Sequence, residues 1–208
     1  YKDRFKDASD FTFIFVGNIK PEETEPLIAT YLGALPSVNR KETFRDNHID
    51  MRQGDYKNIF NKKLETPKAT VLVINNGQCA YTLKNQIMMS MLSQILNIMY
   101  TEIVREKEGG TYGVSAFGSL TTYPKEKAVL QIYFDTDPAI RAKMTDIILN
   151  ELNQFANEGP STENLNKVKE FMLKKYKENA NENSYWVNML DEYFWEGTDM
   201  NTGYADIV

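Results

Sequence analysis

Tyr112-Gly113-Val114-Ser115-Ala116-Phe117-Gly118-Ser119-Leu120-Thr121-Thr122, then Tyr123-Pro124-Lys125-Glu126, then Lys127-Ala128-Val129-Leu130-Gln131-Ile132-Tyr133-Phe134-Asp135 is the stretch on which the fold turns. In the second run Ala128, Leu130, Ile132 and Phe134 recur at every other position, the period of a strand with one face on a core. The intervening Tyr-Pro-Lys-Glu has turn composition, so the stretch predicts a β-hairpin.

On its N-terminal side, Leu83 to Arg105 predicts one long helix. Ile87, Met91, Ile95 and Met99 share a face, which Met88, Leu92, Leu96 and Ile103 widen. So broad a stripe implies burial on more than one side, and its methionines read as core filling rather than ligands. Glu108-Gly109-Gly110 ends the helix. On the C-terminal side, Asp137-Pro138 suits an N-cap and first helical position. Ile140, Met144, Ile147, Ile148, Leu152 and Phe155 then form one helical face, stopped by Gly159-Pro160. Ser161 caps a further helix carried by Leu165, Val168, Met172 and Tyr176. A last helical segment holds Tyr185, Trp186, Tyr193, Phe194 and Trp195.

Nearer the start, Ala69 to Ile74 reads as a buried strand closed by Asn75-Asn76-Gly77, and residues 36–55 as a connection. Phe11 to Val16 reads as a buried strand ending at Gly17-Asn18. Pro21-Glu22-Glu23 fits a first helical turn. Leu27, Ile28, Tyr31 and Leu32 follow at helical spacing, and Gly33 is a natural stop. Pro26 argues for a late start to the regular helix. Strands adjoin through a hairpin while helices gather late. That pattern predicts an α+β fold, a two-layer domain with a mostly antiparallel sheet and helices packed on one face. Residues 1–208 are expected to form a single domain. The charge-dense opening from Tyr1 to Asp10 reads as the interior of a longer protein, so a piece of a larger chain is expected and the compartment, export included, stays open.

The formal net charge is −5, which repels phosphate backbones and argues against nucleic acid as a partner. No apolar run approaches the ~20 residues needed to span a bilayer, so no membrane partner is expected. One cysteine, Cys79, precludes an internal disulfide. The chain's one histidine, His48, sits in a polar stretch and reads as a solvated side chain, and Cys79 as a structural thiol. These two cannot assemble a zinc site, which needs several imidazole or thiolate ligands, so no metal and no cofactor are expected in this chain. A Ser–His–acid triad would have to recruit His48. Gly113 to Gly118 is not G-x-S-x-G and lies in a strand rather than a strand–turn–helix elbow. Phosphate-loop spacing is missing, and Gly109-Gly110 is too short for a dinucleotide site.

What stands out is Val104-Arg105-Glu106-Lys107-Glu108-Gly109-Gly110-Thr111-Tyr112-Gly113-Val114-Ser115. A helix delivers Arg105 at its end, a glycine turn follows, and Tyr112 opens the hairpin. The pair could meet at one rim of the sheet and bind something there. Equally, Arg105 could serve the helix dipole and Tyr112 be an ordinary strand residue. Spacing alone leaves both open.

The segment from Arg105 resembles the R-E-x-x-G-x-x-Y-x-V stretch of the M16 zinc metallopeptidases, the pitrilysin and insulinase group. Phe15-Val16-Gly17-Asn18-Ile19, Pro21-Glu22-Glu23 and Tyr31-Leu32-Gly33-Ala34-Leu35-Pro36 resemble that family's V-V-G-D-I-x-P-E-E and Y-F-G-x-L-P elements, in the same order. The resemblance covers nearly the whole chain. It implies a non-catalytic domain of the C-terminal type, with zinc and the H-x-x-E-H motif on a catalytic half, either in the same polypeptide or in a partner subunit. It also implies a peptide substrate: Tyr112, in the catalytic role, donating to the scissile carbonyl oxygen, and Arg105, in a substrate-binding role, holding neighbouring carbonyls. Gly110 departs from the family's bulkier residue in this turn. Two other classes fit the residues, a structural subunit of the same fold without peptidase activity and an unrelated α+β binding module. H-x-x-E-H upstream in the parent sequence would separate them.

Overall fold

The computed structural model describes residues 1–103 and 111–208, the side chains at 111 and 112 excepted. The chain divides into two compact units, one of Tyr1–Asn47 with Tyr176–Thr202 and one of His48–Lys175 with Gly203–Val208.

The second unit holds the sheet. Its strands are β1 (Ala69–Gln78), β2 (Thr111–Thr121) and β3 (Lys127–Thr136), in the order β1-β3-β2 and antiparallel throughout. The hairpin of β2 and β3 forms as the alternation requires, with Ala116 opposite Ile132 and Val114 opposite Phe134. Here β1 runs past its expected end at Ile74. Asn75, Asn76, Gly77 and Gln78 pair with Leu130, Val129, Ala128 and Lys127, because the long β3 satisfies their peptide groups where a turn would leave them to water.

The helices lie on one face of the sheet. Leu96 and Tyr100 from α3 (described over Leu83–Ile103) pack with Met144 and Ile148 from α4 (Arg141–Glu158) on Val114, Ala116, Ile132 and Phe134. Val71, Val73 and Leu130 border this core. A second cluster joins Ile87 and Ile95 of α3 to Val168 and Met172 of α5 (Thr162–Asn179) and to Val208. The breadth of the α3 stripe is thereby explained, since it serves two clusters. The opposite face of the sheet is open: Phe117 is 63% exposed, Leu72 53% and Ile74 46%. This is the two-layer α+β arrangement indicated by the sequence pattern. Asp137 caps a turn rather than the helix, accepting from the Ala139 N–H at 2.7 Å, and α4 begins at Arg141. Ser161 does cap α5, accepting from the Asn164 N–H at 3.1 Å.

The first unit contains α1 (Lys2–Phe5), α2 (Pro21–Tyr31) and α6 (Asn183–Glu196), while the short α7 (Tyr204–Ile207) belongs to the other unit. Helix α2 starts at Pro21 and absorbs Pro26 rather than starting late. Pro26 forgoes one i→i−4 hydrogen bond, to the Glu22 carbonyl, and the helix continues through it to Tyr31. Phe11 to Val16 forms no strand, and Phe11, Phe13 and Phe15 are 39%, 45% and 50% exposed. A strand needs a ladder partner, and every described strand belongs to the other unit. The rings instead pack edge to face along the run, Phe5 on Phe11 and Phe11 on Phe13. Nearby, Asp7 ties the entry segment together, accepting from the Ser9 hydroxyl at 2.5 Å and from the Val38 N–H at 3.2 Å.

Candidate functional site

The site expected from the sequence lies where α3 hands over to β2. Arg105 and the turn Glu108-Gly109-Gly110 fall outside the described residues. Tyr112 is placed by its backbone, one residue into β2.

That backbone is irregular. Thr111 pairs with Thr136, yet Val114 pairs with Phe134. Two residues of β2, Tyr112 and Gly113, therefore face the single residue Asp135 on β3. This two-against-one count defines a β-bulge, a device that bends a strand and re-aims the residue it carries. Gly113 has a φ of 155°, a backbone conformation that side-chain-bearing residues rarely adopt, so glycine there is a requirement of the bulge.

The middle of β2 is held from α3 by two residues that sequence reasoning missed. Asn97 Nδ2 donates to the Ala116 carbonyl at 2.9 Å while its Oδ1 accepts from the Ala116 N–H at 2.8 Å. Ser93 Oγ accepts from the Gly118 N–H at 2.8 Å. Gly118 permits the approach, because a Cβ there would overlap the Met89 thioether and lie 2.9 Å from Ser93 Oγ. The available signal was Ser93 and Asn97 at i,i+4 spacing on the helix, across from a strand glycine.

Asp135 gathers a polar cluster at the same end of the sheet. It accepts from Thr70 Oγ1 at 2.5 Å, Lys68 Nζ at 3.0 Å and the Tyr133 hydroxyl at 3.1 Å. The Thr70 hydroxyl, then the Lys68 ammonium, hold its carboxyl below the usual carboxylate range, and Lys68 is raised in return by Asp135. In the core, burial pushes the Tyr100 phenol up, and its hydroxyl donates to the Ile148 carbonyl at 3.3 Å.

The donor set does not suit a zinc ion. The chain has one histidine and one cysteine, and among the described residues no three His, Cys, Asp or Glu side chains gather closely enough to hold a metal. His48 is exposed and Cys79 half-buried. Among the described residues no helix is long and apolar enough to cross a membrane.

The helix-backed antiparallel sheet thus carries a bulge at its rim and, among the described residues, no cluster of metal ligands. The peptidase M16 inactive domain family matches residues 1–172, and the chain belongs to that family. It is 25% identical over 206 residues to a zinc protease PQQL-like protein of Arabidopsis thaliana, covering 89% of this chain and 21% of that protein. It is 23% identical over 159 residues to a probable zinc protease PqqL of Haemophilus influenzae, covering 76% of this chain and 17% of that protein. The crystal structure of the periplasmic protease PqqL from Escherichia coli shares the fold, with a TM-score of 0.73 and 16% identity over 92% of this chain and 21% of that one. The chain thus spans about a fifth of the length of the curated relatives it matches.

Proposed function

We propose that these 208 residues act as one non-catalytic domain of a longer zinc endopeptidase, supplying substrate contacts and chamber wall. In this reading a domain carrying H-x-x-E-H, on the same polypeptide or a partner subunit, holds the zinc and hydrolyses the peptide bond. The relatives named as zinc proteases support it, as does the mismatch between this chain's own donors and a metal.

Tyr112 is the residue assigned to the chemistry. As the scissile carbonyl becomes tetrahedral, negative charge builds on its oxygen, and a phenol held ready to donate there stabilises the transition state more than the ground state. Arg105, seven positions earlier, offers a planar fork of donors suited to neighbouring peptide carbonyls. The observation that carries the proposal is the bulge: the backbone breaks ladder register at Tyr112 and Gly113, and bulges recur beside active sites because they re-aim one side chain.

The test is Tyr112→Phe in the full-length protein, followed with an internally quenched peptide. Turnover should fall by roughly 10²–10³, the usual cost of one oxyanion donor, with the melting temperature unchanged. Unchanged turnover would discard the role of Tyr112, whereas no turnover in the natural full-length protein would favour a structural subunit.

A further inference from the structure

The Asp135 cluster has no part in the roles above, yet it sits level with the bulge. Thr70 is the cross-strand neighbour of Asp135 on β1, and Tyr133 lies two residues before it on the same face of β3. Its three donors thus come from β3, from β1 and from Lys68 just ahead of β1. On the other side of β3, the place opposite Asp135 belongs to Tyr112 and Gly113, where β2 leaves the ladder.

A bulge takes its shape from the strand it hangs on, because the extra residue gives up its own ladder bonds. Here that strand is one residue from its end at Thr136, and strand ends fray unless tied. Asp135 supplies the tie. Its side chain is only 22% exposed, and hydrogen bonds to a carboxylate are roughly twice as strong as neutral ones. Simple glue between β1 and β3 could be placed anywhere along their ten paired positions, whereas this cluster stands at the level of the bulge.

Resting on the reading of Tyr112 as a substrate-facing donor, we propose that Asp135, held by Lys68, Thr70 and Tyr133, is a positioning residue that fixes the Tyr112–Gly113 bulge. It acts through the backbone of β3 and touches no substrate. Its loss lets the bulge sample several conformations, so the donor is correctly aimed for less of the time.

The experiment is a double-mutant cycle in the full-length protein with the same internally quenched peptide. Asp135→Asn keeps the size and removes the charge. Its kcat should fall on the order of tenfold with KM unchanged, the mark of an interaction realised only in the transition state. In the Tyr112→Phe background the same substitution should change kcat by less than about twofold, because coupled residues are not additive. Thr70→Val, which removes one donor and keeps the shape, should show a smaller loss with the same non-additivity, and it carries the test should Asp135→Asn fold poorly. Equal losses in both backgrounds, or a lowered melting temperature with kcat intact, would overturn the proposal while leaving the Tyr112 reading standing. Unchanged kcat in Tyr112→Phe alone would overturn that reading and this inference with it.

Discussion

Asn97 grips Ala116 by both of its peptide groups, accepting from the N–H at 2.8 Å and donating to the carbonyl at 2.9 Å. One helical side chain thereby sets how far α3 can slide along β2.

Replacing Asn97 with Leu should therefore cost more than one ordinary hydrogen bond. Two part-buried backbone groups would lose their partner, and each unsatisfied group costs about 1–3 kcal/mol. Denaturant titration should show the loss, and hydrogen exchange should show faster exchange at the Ala116 amide than at Ile132, across the ladder. Equal protection of Ala116 in both proteins would refute the grip.

Gly113→Ala probes the bulge without crowding it. Among the described residues, its chain neighbours aside, no atom lies within 4 Å of the position a Cβ would take, so the cost is argued from the φ of 155°. Strain of this kind costs about 1–3 kcal/mol. The expected outcome is a modest fall in melting temperature with a larger fall in turnover of the full-length enzyme. Gly118→Ala should do the reverse, because its Cβ meets Met89 and Ser93 in the packed layer; overpacking costs about 1–3 kcal/mol, and Met89→Ala should recover part of it.

Asp135 also predicts an acid dependence. Its folded pKa lies below the ordinary 3.8, first through the Thr70 hydroxyl and then through Lys68. A depressed carboxyl stabilises the fold fully above its unfolded pKa and loses that contribution as pH falls through the folded one. The stability difference between the natural protein and Asp135→Asn should thus be constant near neutrality and shrink below about pH 4, where carboxylates begin to protonate. Denaturation series across that range would reveal a pH-independent difference if the cluster were unimportant.

The isolated chain should bind no stoichiometric zinc and cleave no peptide. Its one histidine and one cysteine cannot complete a tetrahedral site. Elemental analysis after dialysis checks the first half, and one tightly held zinc per chain would contradict it.

Much of the sheet was legible because period and partner agree. Ala128 to Phe134 alternate, and the face they define is the one α3 and α4 cover. Phe11 to Val16 has equally strand-like composition and forms none, since composition says nothing about where a ladder partner lies. Ser93 and Asn97 escaped notice because polar residues on a helix ordinarily mean solvent, and nothing local shows that a strand backbone passes within reach. The bulge escaped for a related reason: it is a count between two strands, and Gly113 in β2 is only half of it. The part assigned to Tyr112 came from resemblance to a family, and Arg105 lies outside the described residues.

The hold of α3 on β2 leaves the sheet with two unequal borders. Along the middle of β2 the Ala116 N–H and carbonyl are already occupied by Asn97, and the Gly118 N–H by Ser93. The far border is β1, which among the described strands pairs only with β3. A further strand would therefore be hindered along the centre of β2, where those groups are already taken.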